Sequence, residues 1–295
     1  MRAFHRFFAA AAFALALLFA HASCSRQGGA RAAAGEGPPP GVSPGGSVII
    51  VGDFQREEAG GDLEFAARLS AAMRAAELPE DLYVGLLEVS AWNPAFAGDL
   101  GAVLAGPRHL RELVDKQNAL PPGFSPPDLV PLGGGGEYRV ARAGLALREP
   151  AARSLAAMAA AARGDGVALV AASAYRSYDH QAEVHERLAR QMGRAAAERV
   201  SARPGHSQHQ TGLALDFAPI DESFALTPAG RWVGANAARF GWSLSYPDGY
   251  EGVTGYAWEP WHFRYLGAEL AAFKHRYFRG VQQFALRFLH EWERH

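Results

Sequence analysis

The chain has 295 residues, 49% of them hydrophobic and 20% charged, which lies far from the low-hydrophobicity, high-charge compositions that stay disordered. Its 29 Lys and Arg balance 30 Asp and Glu, leaving no basic excess for a nucleic-acid backbone or an anionic lipid surface. The single cysteine, Cys24, excludes an intramolecular disulfide and every metal site built from two or more thiolates, so any zinc must sit on His, Asp or Glu.

The first segment reads as an export signal. Arg2 and Arg6 precede the apolar run Phe7 to Ala20, 14 residues long, whereas a membrane-spanning helix needs about 20. Two cleavage readings compete: Ala20-His21-Ala22 suits an ordinary signal peptidase, and Ala22-Ser23-Cys24 resembles a lipobox with Cys24 as lipid anchor. Residues 1–24 are thus a signal peptide, and residues 25–46, rich in Gly, Ala, Pro and Ser, are a flexible linker. Residues 47–109 form an N-terminal helical extension, opening on a strand-like Val48-Ile49-Ile50-Val51 before helical spacing through Leu63, Leu69 and Met73.

Residues 110–295 are expected to form the catalytic domain with a C-terminal helix. Pro121-Pro122, Pro126-Pro127 and Pro131 mark an extended arm, and Gly133 to Gly136 a loop that lacks the Lys-Ser/Thr of a phosphate-binding motif. An alanine-rich helix from Glu149 to Arg163, a strand from Val167 to Ala172 and a helix from about His180 to Arg199 follow. One final helix is expected to carry Leu270, Phe273, Phe278, Phe284 and Phe288.

Candidate chemistry concentrates in three segments. In Ser207-Gln208-His209-Gln210-Thr211-Gly212-Leu213-Ala214-Leu215-Asp216-Phe217, His209 and Asp216 are too far apart along one helix to share an ion, about 10 Å. A turn at Gln210-Thr211-Gly212 followed by a strand solves this, with Leu213, Leu215 and Phe217 facing a core and Asp216 the other way. A carboxylate among such neighbours is costly to bury unless paired or metal-bound. In Glu259-Pro260-Trp261-His262, with Glu259 as N-cap of a helix, Glu259 and His262 point into one cavity. His209, Asp216 and His262 then supply three zinc ligands, leaving a fourth position for water, and Glu259 a base. In Ser173-Ala174-Tyr175-Arg176-Ser177, Arg176 stands at the end of a strand, placed to hold a carboxylate or an oxyanion. His290-Glu291 lacks a second histidine at helical spacing and is rejected, and His180 and His185 are read as helix-surface residues.

These segments, with Gln181, Arg264-Tyr265-Leu266-Gly267, Lys116-Gln117-Asn118 and Pro126-Pro127-Asp128-Leu129, resemble the VanY-type D-alanyl-D-alanine carboxypeptidases, zinc peptidases of the LAS group. The resemblance covers about Leu110 to Gly267. It implies an α+β fold, a small antiparallel sheet flanked by helices, shared with hedgehog-like zinc peptidases. It also implies Zn2+ on His209, Asp216 and His262, Glu259 as catalytic base, Arg176 as the residue that orients substrate and holds developing charge, and Ser207, Gln181 and Tyr175 as substrate-binding residues. Two positions depart from the family pattern: Gln208 stands where Glu is common, and Ser245 where a basic residue is frequent. The implied substrate is the stem peptide of peptidoglycan, cut by a monomer exported to the cell envelope, with membrane contact only through a lipid on Cys24. D,D-carboxypeptidase, L,D-carboxypeptidase and endopeptidase action on this scaffold all stay open, as does a wall-binding lipoprotein that holds metal without turnover.

Overall fold

A computed structural model describes residues 52–133 and 136–295; the expected signal peptide and linker, the expected strand at 48–51 and part of the glycine loop lie outside the described residues. Among the described residues no helix is long and apolar enough to cross a membrane.

Three helices open the described chain: α1 (Gly52–Ala75), α2 (Glu80–Trp92) and α3 (Ala95–Ala105). Their apolar residues Leu69, Met73, Leu86, Phe96 and Leu100 are buried in one cluster with Leu270, Phe273, Phe284, Phe288 and Trp292 from the chain's last two helices. Those helices are α9 (Gly267–Tyr277) and α10 (Gln282–Trp292), not the single helix expected. The break falls at Phe278–Val281, where Arg279 and Gly280 have φ of 54° and 74°, outside helical space.

The proline-rich arm is irregular and ends in β1 (Leu129–Pro131), which pairs antiparallel with β3 (Ala146–Arg148). The main sheet contains β2 (Arg139–Val140), β4 (Val170–Ser173), β5 (Ala214–Phe217), β6 (Trp242–Leu244) and β7 (His262–Tyr265), in the order β2-β4-β5-β7-β6. It is antiparallel, as expected, except at one edge, where β2 runs parallel to β4. Helix α4 (Glu149–Gly164) starts with a proline in its first turn and buries Ala151, Leu155, Met158, Ala159 and Ala162, the spacing of one helical face. That face packs in the same core as Leu213, Leu215 and Phe217 of the central strand region.

The helix expected over residues 180–199 is two: α5 (Tyr178–Met192) and α6 (Arg194–Val200), parted at Gly193, whose φ is 85°. Ser177 caps α5 by accepting from the His180 amide at 3.2 Å. His185 is not on the surface; it is buried, with Nε2 3.8 Å from Glu198, whereas His180 is exposed. The remaining helices, α7 (Pro228–Asn236) and α8 (Glu251–Thr254), are short.

Candidate active site

The central strand sets the site. Leu213, Leu215 and Phe217 are fully buried on its core side, while Asp216 points the other way, as alternation requires. Sheet register places Asp216 directly beside His262 of β7 and beside Ser173 of β4. His209 arrives from a short 3-10 turn, Gln208–Thr211, capped by Ser207 and ended by Gly212 at φ 70°. A Cβ on Gly212 would stand 2.9 Å from Arg148 Cγ and 3.0 Å from Leu129 Cδ2, so both conformation and space demand glycine where the chain turns back into β5.

The result is a tight group. His209 Nε2 lies 3.2 Å from Asp216 Oδ2, and His262 Nδ1 3.0 Å from Asp216 Oδ1. The two imidazoles meet edge to face, with centroids 4.9 Å apart. One ligand atom from each of the three residues falls within 4.8 Å of the others, and all three side chains are buried. Asp216 Oδ1 has no partner meeting hydrogen-bond geometry. A buried carboxylate with one imidazole nitrogen against each oxygen, and one of those oxygens without a hydrogen bond, is a donor set that suits zinc.

Protonation agrees with that use. Burial alone raises the Asp216 carboxyl, but the facing imidazoles outweigh it and hold the group ionised. Burial pushes His209 down, toward the neutral form that ligates metals. His209 Nδ1 sits 2.7 Å from the Ala174 carbonyl, so it carries the proton and leaves Nε2 for the cluster.

Glu259 stands at the edge of this group, with Oε2 3.5 Å from His262 Nδ1. It does not begin a helix. Residues 259–261 form a turn, closed by the His262 amide donating to the Glu259 carbonyl, and His262 enters β7 at once. The three-residue spacing still brings both side chains into one cleft. Burial raises the Glu259 carboxyl to about 7, against the pull of His262.

Arg176 follows β4, and its guanidinium is fixed: Nη1 donates to Gln181 Oε1 at 2.8 Å and Nη2 to Ser173 Oγ at 3.0 Å. Gln181, 1% exposed, spends its amide nitrogen on the Ala202 carbonyl at 2.6 Å. Its amide is therefore committed to protein partners and braces Arg176. Arg176, Gln181, Ser207, His209, Asp216, Glu259 and His262 all line one open cleft. Tyr175 is not among the lining residues; its hydroxyl donates to Ser125 in the arm at 3.2 Å. Tyr246 and Tyr256, which complete the cleft beside His262, escaped sequence reasoning.

The family model described as D-alanyl-D-alanine carboxypeptidase, VanY, matches residues 144–268. The solved structure of the LD-carboxypeptidase LdcB, described in terms of peptidoglycan recognition, is 36% identical with a TM-score of 0.52. Its match covers 57% of this chain and 85% of that one. The chain belongs to the VanY family of D-alanyl-D-alanine carboxypeptidases. YodJ of Bacillus subtilis (strain 168), provisionally named a carboxypeptidase, is 37% identical over 174 residues, covering 57% of this chain and 64% of YodJ. The D-alanyl-D-alanine carboxypeptidase of Enterococcus faecalis is 38% identical over 120 residues, covering 38% of this chain and 45% of the relative. The chain thus matches under two thirds of the length of either curated relative. Its α+β architecture, with the mixed sheet between helices, is the fold of a VanY-family carboxypeptidase. The two positions that depart from the VanY pattern touch each other, with Ser245 Oγ donating to Gln208 Oε1 at 2.8 Å.

Proposed function

We propose that this protein is a zinc-dependent D-alanyl-D-alanine carboxypeptidase that removes the terminal D-amino acid from peptidoglycan stem peptides. The observation that carries the reading is a three-ligand group, His209, Asp216 and His262, opening on a cleft that also holds a buried carboxyl and a braced guanidinium. His209, Asp216 and His262 would hold a zinc ion, which would supply Lewis acidity toward a peptide carbonyl and its attacking water. Glu259 takes a proton from that water and returns it to the departing amine, a task suited to a carboxyl raised to about 7. Arg176, held by Gln181 and Ser173, presents a fixed fork to the free carboxylate at the chain end. Ser207 forms part of the cleft wall beside the ligands. A wall-binding protein without turnover has no use for Glu259 beside the metal ligands. Export to the cell envelope is part of the same proposal, supported by Arg2, Arg6 and the short apolar run from Phe7 to Ala20.

L,D-carboxypeptidase action is the second reading, favoured by the likeness to LdcB, itself an LD-carboxypeptidase. Stems ending in D-Ala-D-Ala and stems ending one residue earlier separate the two: release of D-alanine from the pentapeptide but not from the tetrapeptide is expected.

The Arg176 fork gives a sharper test. Arg176→Lys is expected to lower kcat/KM strongly on a free-acid pentapeptide, because an ammonium cannot reproduce the planar two-point contact. The C-terminally amidated stem should already be poor with the unaltered protein and lose little more. Equal losses on both stems would assign Arg176 to the scissile carbonyl and favour endopeptidase action.

A further inference from the structure

We propose that Gln208 is a positioning residue for His262, held in place by a hydrogen-bonded relay that starts at Gln282 on α10. The inference rests on the reading of His209, Asp216 and His262 as zinc ligands. His262 turns Nδ1 toward Asp216 and Glu259, so its ligating nitrogen is Nδ1. Its other nitrogen, Nε2, has one hydrogen-bond partner among the described residues, Gln208 Oε1 at 3.4 Å. An acceptor opposite Nε2 places the ring proton there and leaves the Nδ1 lone pair for the metal side.

The orientation of that acceptor is itself fixed. Gln282 Nε2 donates to Ser245 Oγ at 3.3 Å, which frees the Ser245 hydrogen for Gln208 Oε1 at 2.8 Å. Gln208, Ser245 and Gln282 are each no more than 2% exposed, so water does not compete for these contacts. The two histidines are thus steered by opposite nitrogens through different anchors. His209 leans on the Ala174 backbone carbonyl, which no side-chain replacement removes, whereas His262 leans on a side chain. The relay couples the zinc centre to the helical layer, because α10 packs in one core with α1 to α3.

The test uses the full chain and measures zinc affinity by competition with a chromophoric chelator, alongside the visible spectrum of the cobalt-substituted protein. Gln208→Met keeps length and bulk but removes the acceptor. It is expected to weaken zinc binding about 10- to 100-fold and to alter the cobalt bands, as loss of an outer hydrogen-bond partner does. Gln208→Glu restores an acceptor and is expected to bind zinc near the wild-type affinity. Ser245→Ala loosens the relay and should weaken binding in the same direction by less. Equal affinities and spectra for Gln208→Met and wild type would overturn this role alone, as would Gln208→Glu binding as weakly as Gln208→Met. Should Gln208→Met fail to fold, unchanged zinc affinity in Ser245→Ala overturns the role. A wild-type protein that takes up no zinc would overturn the zinc centre itself, and the relay with it.

Discussion

His209→Ala is expected to abolish stoichiometric zinc binding, and His262→Ala to do the same. Each removes one of three ligands from a set that contains no cysteine and no fourth histidine or carboxylate within the same 4.8 Å group among the described residues. The consequence is readable without any substrate. A metal that binds only the folded chain stabilises it by RT ln(1 + [L]/Kd), about 4 kcal/mol at a thousandfold excess over Kd. Wild-type protein should therefore melt at a higher temperature with zinc than without. Both alanine variants should melt at the same temperature either way. They should also be less stable than the metal-free wild type, because Asp216 keeps a buried charge with one imidazole fewer to face. Calorimetry with and without zinc separates the two effects: the first is a lost zinc-dependent shift, the second a lowered baseline. A full zinc-dependent shift in either variant would remove that histidine from the ligand set.

Glu259→Gln should keep its zinc and lose catalysis. Its carboxylate stands beside His262 at 3.5 Å, but outside the three-residue group whose atoms converge. The amide is nearly isosteric, so the cleft and the β7 entry stay intact, while the group that accepts a proton is gone. A fall of about 10² to 10⁴ in kcat is expected, the usual share of a general acid–base group. KM should change little, since the Arg176 guanidinium and the cleft walls are left untouched. Metal content measured on the same preparation decides the interpretation. Loss of zinc along with turnover would make Glu259 a ligand, and retained turnover would move the base elsewhere.

The convergence of His209, Asp216, His262 and Glu259 was more legible than the scaffold that brings them together. The alternation through Leu213, Leu215 and Phe217 left Asp216 only one face, and the turn at Gly212 followed from the need to bring His209 back to it. What pattern could not supply was the partner strand. The spacing of Glu259 and His262 suits a helix locally, with Pro260 favouring its first turn, but His262 to Tyr265 pair with β5 on one side and β6 on the other. Two ladders of backbone hydrogen bonds override a weak local preference. The helix breaks at Gly193 and Arg279-Gly280 were missed for a similar reason: hydrophobic spacing continues across them while the backbone turns through positive φ. The first three helices showed apolar spacing without an evident partner, because that partner, α9 and α10, lies at the far end of the chain. Tyr175 sits inside a site motif yet serves the arm through Ser125. Gln181, read as a cleft residue, does line the cleft, but its amide holds Arg176 and the Ala202 carbonyl. Sequence gives residue types; which polar atom is already spent on a neighbour is a property of packing.

The central claim is that His209, Asp216 and His262 hold the zinc with which this chain removes the C-terminal residue of a stem peptide. The most direct measurement is D-alanine release from a defined pentapeptide stem by full-length protein as received, after stripping with a chelator, and during titration with zinc. Release that vanishes on stripping and returns in full at one zinc per chain is the predicted result. Undiminished release by the stripped protein, or no release at any zinc concentration from a correctly folded wild type, would contradict it.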